Sequence, residues 1–189
     1  MFDVRKATQV AAYFLWKSER KMPYLKLMKM IYLAEKQFVL QYDEQLTGDQ
    51  VVSSPQGPML SSMYECVFGG NDYWNNWINN PGQHALMFNG AIAVDRNMPL
   101  NTFDELTEAE LSCIDSVFEK YGQMDQAKLV ELSKNPRFCP ECEDTWDSLY
   151  PIAYRSMLMK NGKTEEQADA ILERVKEVDD VYALALKLA

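Results

Sequence analysis

Across the first forty residues apolar side chains return every three or four positions, and no other feature restricts the fold of this chain as much. Val4, Ala7, Val10, Ala11, Phe14 and Leu15 form one stripe of an amphipathic helix over about residues 3 to 18. The run Ser18-Glu-Arg-Lys-Met-Pro23 breaks it. After Pro23 a second helix carries Leu27, Met28, Ile31, Tyr32, Glu35, Phe38, Val39 and Tyr42 on one side, with Lys26, Lys29 and Lys36 elsewhere on its surface. Two adjacent amphipathic helices must bury their stripes against each other, so the N-terminal segment reads as an antiparallel helix pair.

The same periodicity organises the second half. Thr107-Glu-Ala-Glu110 fits a capping box, in which hydroxyl and carboxylate satisfy each other's orphan amides, and opens a helix reaching Gly122. Asp125 caps the next, which ends at Asn135-Pro136. Trp146 to Met159 reads as a further helix, Thr164-Glu-Glu-Gln167 launches another, and a last short one covers Val181 to Leu188. Between the halves, Met59 to Phe68 and Asn71 to Ile78 read as short helices. Residues 43–58 lose periodicity and form an ordered loop in which the β-branched pair Val51-Val52, followed by Ser53-Ser54-Pro55 and Gly57-Pro58, spells an extended segment closed by turns, and Ala91-Ile-Ala-Val94 is the best remaining candidate for a strand, with a buried loop as its other reading. The expected architecture is mainly α: one compact helical bundle of about seven or eight helices with at most a small β-hairpin. At 189 residues the chain is long enough for one core. The expected division is a main domain over residues 1–160 with a C-terminal helical extension, 161–189, packed on it.

Charge limits the partners. The chain has 19 Lys and Arg against 28 Asp and Glu, so direct phosphate-backbone binding is not expected. The excess is uneven, since residues 1–40 carry eight bases and three acids while the remainder holds eleven bases and 25 acids. The N-terminal helices are thus cationic and the body acidic. The N-terminus, with an early Asp and no apolar run, does not read as a secretory signal, and no stretch is apolar enough for a membrane span. A cytoplasmic protein with reduced thiols is expected.

Chemistry-bearing constellations are few. Cys139-Pro-Glu-Cys142 has the spacing of a metal or redox pair, but a zinc site needs four ligands and only Cys66, Cys113 and His84 remain. Two ordinary thiols are the first reading, zinc the second, redox chemistry the third. His84, the one histidine, follows a Pro-Gly turn without a nucleophile at motif spacing. No Gly-rich phosphate loop occurs, so no catalytic residue and no cofactor are assigned. Trp16, Tyr32 and Phe38 lie on helix stripes and belong to the core. Tyr73, Trp74 and Trp77, set among asparagines, suit an exposed contact patch, with core packing as the equal alternative for at least one of them.

The helix Lys26-Leu27-Met-Lys29-Met-Ile-Tyr32-Leu-Ala-Glu35, then Leu46-Thr-Gly-Asp49, then Gly57-Pro58 and Tyr64 resemble the signature of the Panacea domain, a SocA-like domain also known as the phage-associated GepA type. Leu106-Thr to Glu110, Tyr121-Gly122 and Leu129 to Ser133 resemble its second half. Ser54 and Met59 depart from the pattern, and Phe138 to Asp144 resembles an insertion. The resemblance implies an antitoxin that neutralises a cognate protein toxin, encoded by a neighbouring gene, through direct contact. In some members it implies delivery of the toxin to a AAA+ protease. Tyr64, Tyr73, Trp74 and Trp77 are then the expected toxin-contacting residues. Two readings stand beside it: a phage-encoded acidic inhibitor that mimics nucleic acid, and a metal-dependent enzyme using Cys139, Cys142 and His84.

Overall fold

The computed structural model describes residues 1–82, 84–142 and 149–188, with eight α-helices and six short strands among them. Helix α1 (Val4–Lys17) is capped by Asp3, whose carboxylate accepts from the amides of Arg5 and Lys6. It runs through strand β1 (Lys21–Pro23) into α2 (Tyr24–Tyr42), the centre of the molecule. The remaining order is β2 (Val51–Ser53), β3 (Met59–Leu60), α3 (Ser61–Gly69), α4 (Asp72–Trp77), β4 (Ile78–Asn79), β5 (Ala85–Phe88), α5 (Glu108–Tyr121), α6 (Gln126–Lys134), β6 (Tyr150–Pro151), α7 (Tyr154–Lys160) and α8 (Glu165–Leu188). Helix α2 packs on α1, α5, α6 and β3, while α1 also packs on α4 and β5.

The core is built from the expected stripes. Ala7, Val10, Ala11, Phe14 and Leu15 of α1 and Leu27, Met28, Ile31 and Tyr32 of α2 have no exposed surface. Both capping boxes form. Thr107 and Glu110 close theirs at the start of α5, and Thr164 and Gln167 exchange bonds of 2.9 and 3.2 Å at the start of α8.

Several expectations need correction. The sheet content exceeds one hairpin: β1, β5 and β4 form one antiparallel sheet in the order β1-β5-β4, and β3, β2 and β6 form another in the order β3-β2-β6. Strands of two to four residues are too short for period-two alternation to show, and their partners are distant, as with Met22 opposite Leu86 and Val52 opposite Pro151. Ala91–Val94 is not a strand. The extended segment is instead Ala85–Phe88, and Ile92 and Val94 only lean on the core. The helix expected from Trp146 begins at Tyr154, because Tyr150-Pro151 pairs with β2; Trp146 itself lies outside the described residues. The two expected C-terminal helices are one continuous α8. Lys29 and Lys36, assigned to the surface of α2, are buried.

Candidate functional site

Helix α2 is buried nearly all round although it carries Lys29, Glu35 and Lys36. A buried charge survives only when hydrogen-bonded or paired, and each of the three captures a different loop. Lys29 Nζ donates to the Pro58 carbonyl at 2.8 Å. Glu35 accepts from the Leu46 amide (3.1 Å), from the Thr47 amide (2.8 Å) and hydroxyl (2.7 Å), and from Tyr154 Oη (2.9 Å). Lys36 donates to the Phe138 carbonyl at 2.9 Å and pairs with Glu141 at 2.8 Å. Glu141 also receives hydrogen bonds from Tyr32 and, at 2.9 Å, from Asn161.

These environments set the charge states. Burial lowers the Lys29 amine to about 7. Burial also raises the Glu35 carboxyl, against the hydrogen bonds from Thr47, Tyr154 and the Leu46 amide. For Glu141 burial pushes upward, but Lys36, Tyr32 and Asn161 outweigh it and hold the carboxyl below its ordinary value.

The residues that carried the resemblance meet here. Gly57 has φ +89° in a turn where Ser54 Oγ donates to the Gly57 carbonyl at 2.7 Å. A Cβ at Gly57 would stand 2.7 Å from Ser133 Oγ and 3.4 Å from Lys29 Nζ. Thr47 ties its loop to Glu35, and buried Asp49 caps α3 by accepting from the amides of Ser62 and Met63 at 3.0 and 2.9 Å. Lys26 Nζ donates to the Gly122 carbonyl at 2.6 Å, closing the end of α5. Leu27 and Tyr32 are core. Lys26, Leu27, Lys29, Tyr32, Gly57 and Pro58 are therefore joined by the fold, as the frame that holds three loops on α2.

Cys139 and Cys142 sit in that frame. The Cys142 amide bonds the Cys139 carbonyl at 3.0 Å, Tyr32 Oη lies 3.5 Å from Cys139 Sγ, and Ser53 Oγ lies 3.2 Å from Cys142 Sγ. Burial pushes the Cys139 thiol up to about 11, so it is protonated at neutral pH. Among the described residues no three His, Cys, Asp or Glu are grouped to hold a metal, so Cys139, Cys142 and His84 do not converge as ligands. His84 instead lies beside Tyr24, ring centroids 5.9 Å apart, and its carbonyl accepts from the Tyr24 amide at 2.8 Å.

The aromatic segment on α4 departs from expectation. Trp74 is 1% exposed and packs in the core, because its helix lies on α1. It is not a surface contact residue. Trp77 is half-buried against Phe88 and Phe103, and Tyr73 is half-buried with its hydroxyl 3.0 Å from Gln9 Nε2. Tyr64, Phe68 and Tyr150 reach water, Tyr150 alone on β6 and the other two on α3, where they join a row of rings. Tyr64 stacks on Phe68 at 4.7 Å, Phe68 meets Tyr24 edge-on at 5.2 Å, and Tyr24 continues to His84. Phe68 is 56% exposed and Tyr64 37%. Phe68 was not singled out from the sequence; its four-residue spacing from Tyr64 beside Gly69-Gly70 is the signal that marks it.

Two further findings bear on function. No helix among the described residues is long and apolar enough to cross a membrane. Residues 27–139, more than half of the chain, match a family model described as Antitoxin SocA-like, Panacea domain. No curated protein and no solved structure matches.

Proposed function

This chain belongs to the antitoxin SocA-like, Panacea domain family, which supports a general antitoxin role and with it a toxin partner, and from that premise we propose that it neutralises a protein toxin by direct binding through the aromatic face of Tyr24, Tyr64, Phe68 and His84. An antitoxin role is one of binding rather than catalysis. The observation that carries the proposal is the row of four rings, because Phe68 keeps more than half its surface in water although a fold of this size offers a core to hide it in. Exposed rings held against one another are pre-ordered, so binding costs little side-chain entropy, and aromatic anchors dominate interface energies. Exposed Glu65 on α3 and the acidic body favour a basic toxin surface and speed its approach. Tyr73 and Trp77 border the contact as half-buried supports.

The toxin is the product of a neighbouring gene, acting in the cytoplasm, and the bound toxin is a candidate for delivery to a AAA+ protease. The antitoxin unit is the body of residues 1–160, with 161–189 as an extension whose Ala168 and Ile171 pack onto it. The test is co-expression with each neighbouring reading frame, scored by growth and co-purification, followed by Tyr64→Ala with Phe68→Ala. Both positions are exposed, so the fold persists. Loss of two aromatic anchors at about 2 kcal/mol each weakens binding by roughly a thousandfold and abolishes rescue. Full rescue by the double variant, with circular dichroism unchanged, refutes the assigned face.

A further inference from the structure

Among the described residues, the buried apolar side chains of helix α8 lie in its first half. Ala168 and Ile171 are buried, Val175 packs on the core, Arg155 pairs with Glu165 and Asp169, Arg174 pairs with Glu44, and Asp179 pairs with the Met1 amino group. The apolar spacing of residues 168, 171 and 175 continues to Val178 and beyond, yet Val178, Val181 and Leu184 are 59, 68 and 59% exposed. One exposed valine is ordinary, but three within two turns make a patch. One flank is acidic on balance, since exposed Glu173, Glu177 and Asp180 each stand four residues before Glu177, Val181 and Leu184 and so share their side of the helix, with the single amine of Lys176 between Glu173 and Asp180. At the inner end of the patch a cavity of about 250 Å³ opens between α8, the loop after α2 and the N-terminus, its wall apolar at Leu46, Val175 and Val178 and its charged lining mixed, with Met1, Lys6 and Arg174 beside Asp43, Glu44 and Asp179.

We propose that this face binds a basic amphipathic helix of a protein partner, at a surface separate from the aromatic one. The partner's apolar residues lie along Val178, Val181 and Leu184 and one enters the cavity, while its Lys and Arg side chains meet Glu173, Glu177 and Asp180. Charge selects this occupant. A second copy of α8 would bring like carboxylates together, and an anionic lipid surface would be repelled by the same flank.

The test uses the full chain and a fluorescent synthetic helix with Leu on one face and Lys on the other, beside a counterpart with Glu in place of Lys. Anisotropy at about 150 mM salt, where charges more than about 8 Å apart are largely screened, reads the affinity. The Lys peptide binds and the Glu peptide does not. Val178→Asp with Val181→Asp weakens binding at least about tenfold, although both changes add negative charge and attraction by charge alone would strengthen it. Val178→Gln with Val181→Gln, neutral and compatible with a helix, gives the same loss. Binding unchanged or tighter in both double variants overturns the proposal. So does a dimer seen by sedimentation that Val178→Asp dissolves, which would assign the face to a second copy.

Discussion

Replacing Lys29 with Met removes the buried amine of α2 that, among the described residues, has no carboxylate beside it. In the folded protein burial holds this amine at about 7, against an ordinary value of 10.5. The depressed value means that below pH 7 both folded and unfolded states are protonated and the fold carries the full cost of the buried cation. Above 10.5 both are neutral and the cost is gone. Between them the unfolded state binds more protons, so stability rises with pH. The gain from pH 7 to 8.5 is about 1.5 kcal/mol by that linkage. The window closes near pH 9, where Cys139 and Cys113, raised by burial to about 11 and about 12, keep protons that the unfolded state releases and so turn the slope downward. The assay is urea unfolding followed by tryptophan fluorescence at pH 6.5, 7.5 and 8.5, with midpoint and slope reported separately. The wild-type midpoint climbs across the series. Lys29→Met has lost the Pro58 contact and starts about 1–3 kcal/mol lower or level, depending on how far removal of the charge offsets the orphaned carbonyl, but its midpoint is flat over the same range. A variant that keeps the whole slope shows that another group titrates, and the account of Lys29 fails.

Other perturbations follow from the same frame. Gly57→Ala forces a side chain into φ +89° and to within 2.7 Å of Ser133 Oγ; thermal unfolding should show a loss of about 1–3 kcal/mol. Tyr154→Phe deletes the hydroxyl that donates to Glu35 at 2.9 Å and leaves a buried carboxylate short of a donor; chemical denaturation should read about 1–3 kcal/mol. Trp74→Ala empties a core position that is 1% exposed, so it should cost about 3–5 kcal/mol and remove folded protein rather than a contact. Limited proteolysis separates that outcome from the Tyr64 and Phe68 variants, which stay protected.

What the sequence disclosed was whatever a few neighbouring residues decide. The capping boxes at Thr107 and Thr164 and the Asp125 cap are local hydrogen-bonding devices, and each stands where its residues place it. The central helix was legible by its apolar stripe, but not its depth. Lys29 and Lys36 have the composition of a solvated face, and only the carbonyl of Pro58 and the carboxylate of Glu141, more than a hundred residues beyond Lys36, make their burial tolerable. Of the strands, Val51-Val52 was legible as an extended segment, but the pairings were not, since a two-residue strand exists only through its partner. Among the aromatics, asparagine neighbours suggested exposure for Trp74, yet the helix turns that residue onto α1 while Phe68, in an apolar stretch, is left outside.

The placement of the motif residues separates what holds this fold from what it presents. Lys29, Glu35 and Lys36 pin the loops at residues 55–58, 46–47 and 138–141 to one helix by groups that would be costly to leave unpaired, so substitution there is felt as stability. Tyr64 of the motif set is the exception, being exposed, and it stands at the head of the ring row. A scaffold whose loops are fixed from the inside can change Tyr64, Phe68 or the flank of α8 without disturbing the frame, because those side chains contribute little to burial. On the two proposed contact faces, substitution changes partner choice while the polar ties of α2 stay as they are, and a set of variants should divide accordingly. Changes at Lys29, Glu35 and Gly57 move the unfolding midpoint, whereas changes at Phe68 and Val181 move only binding. A Phe68 variant that lowers the midpoint as far as Trp74→Ala does would place that ring in the frame and end the distinction.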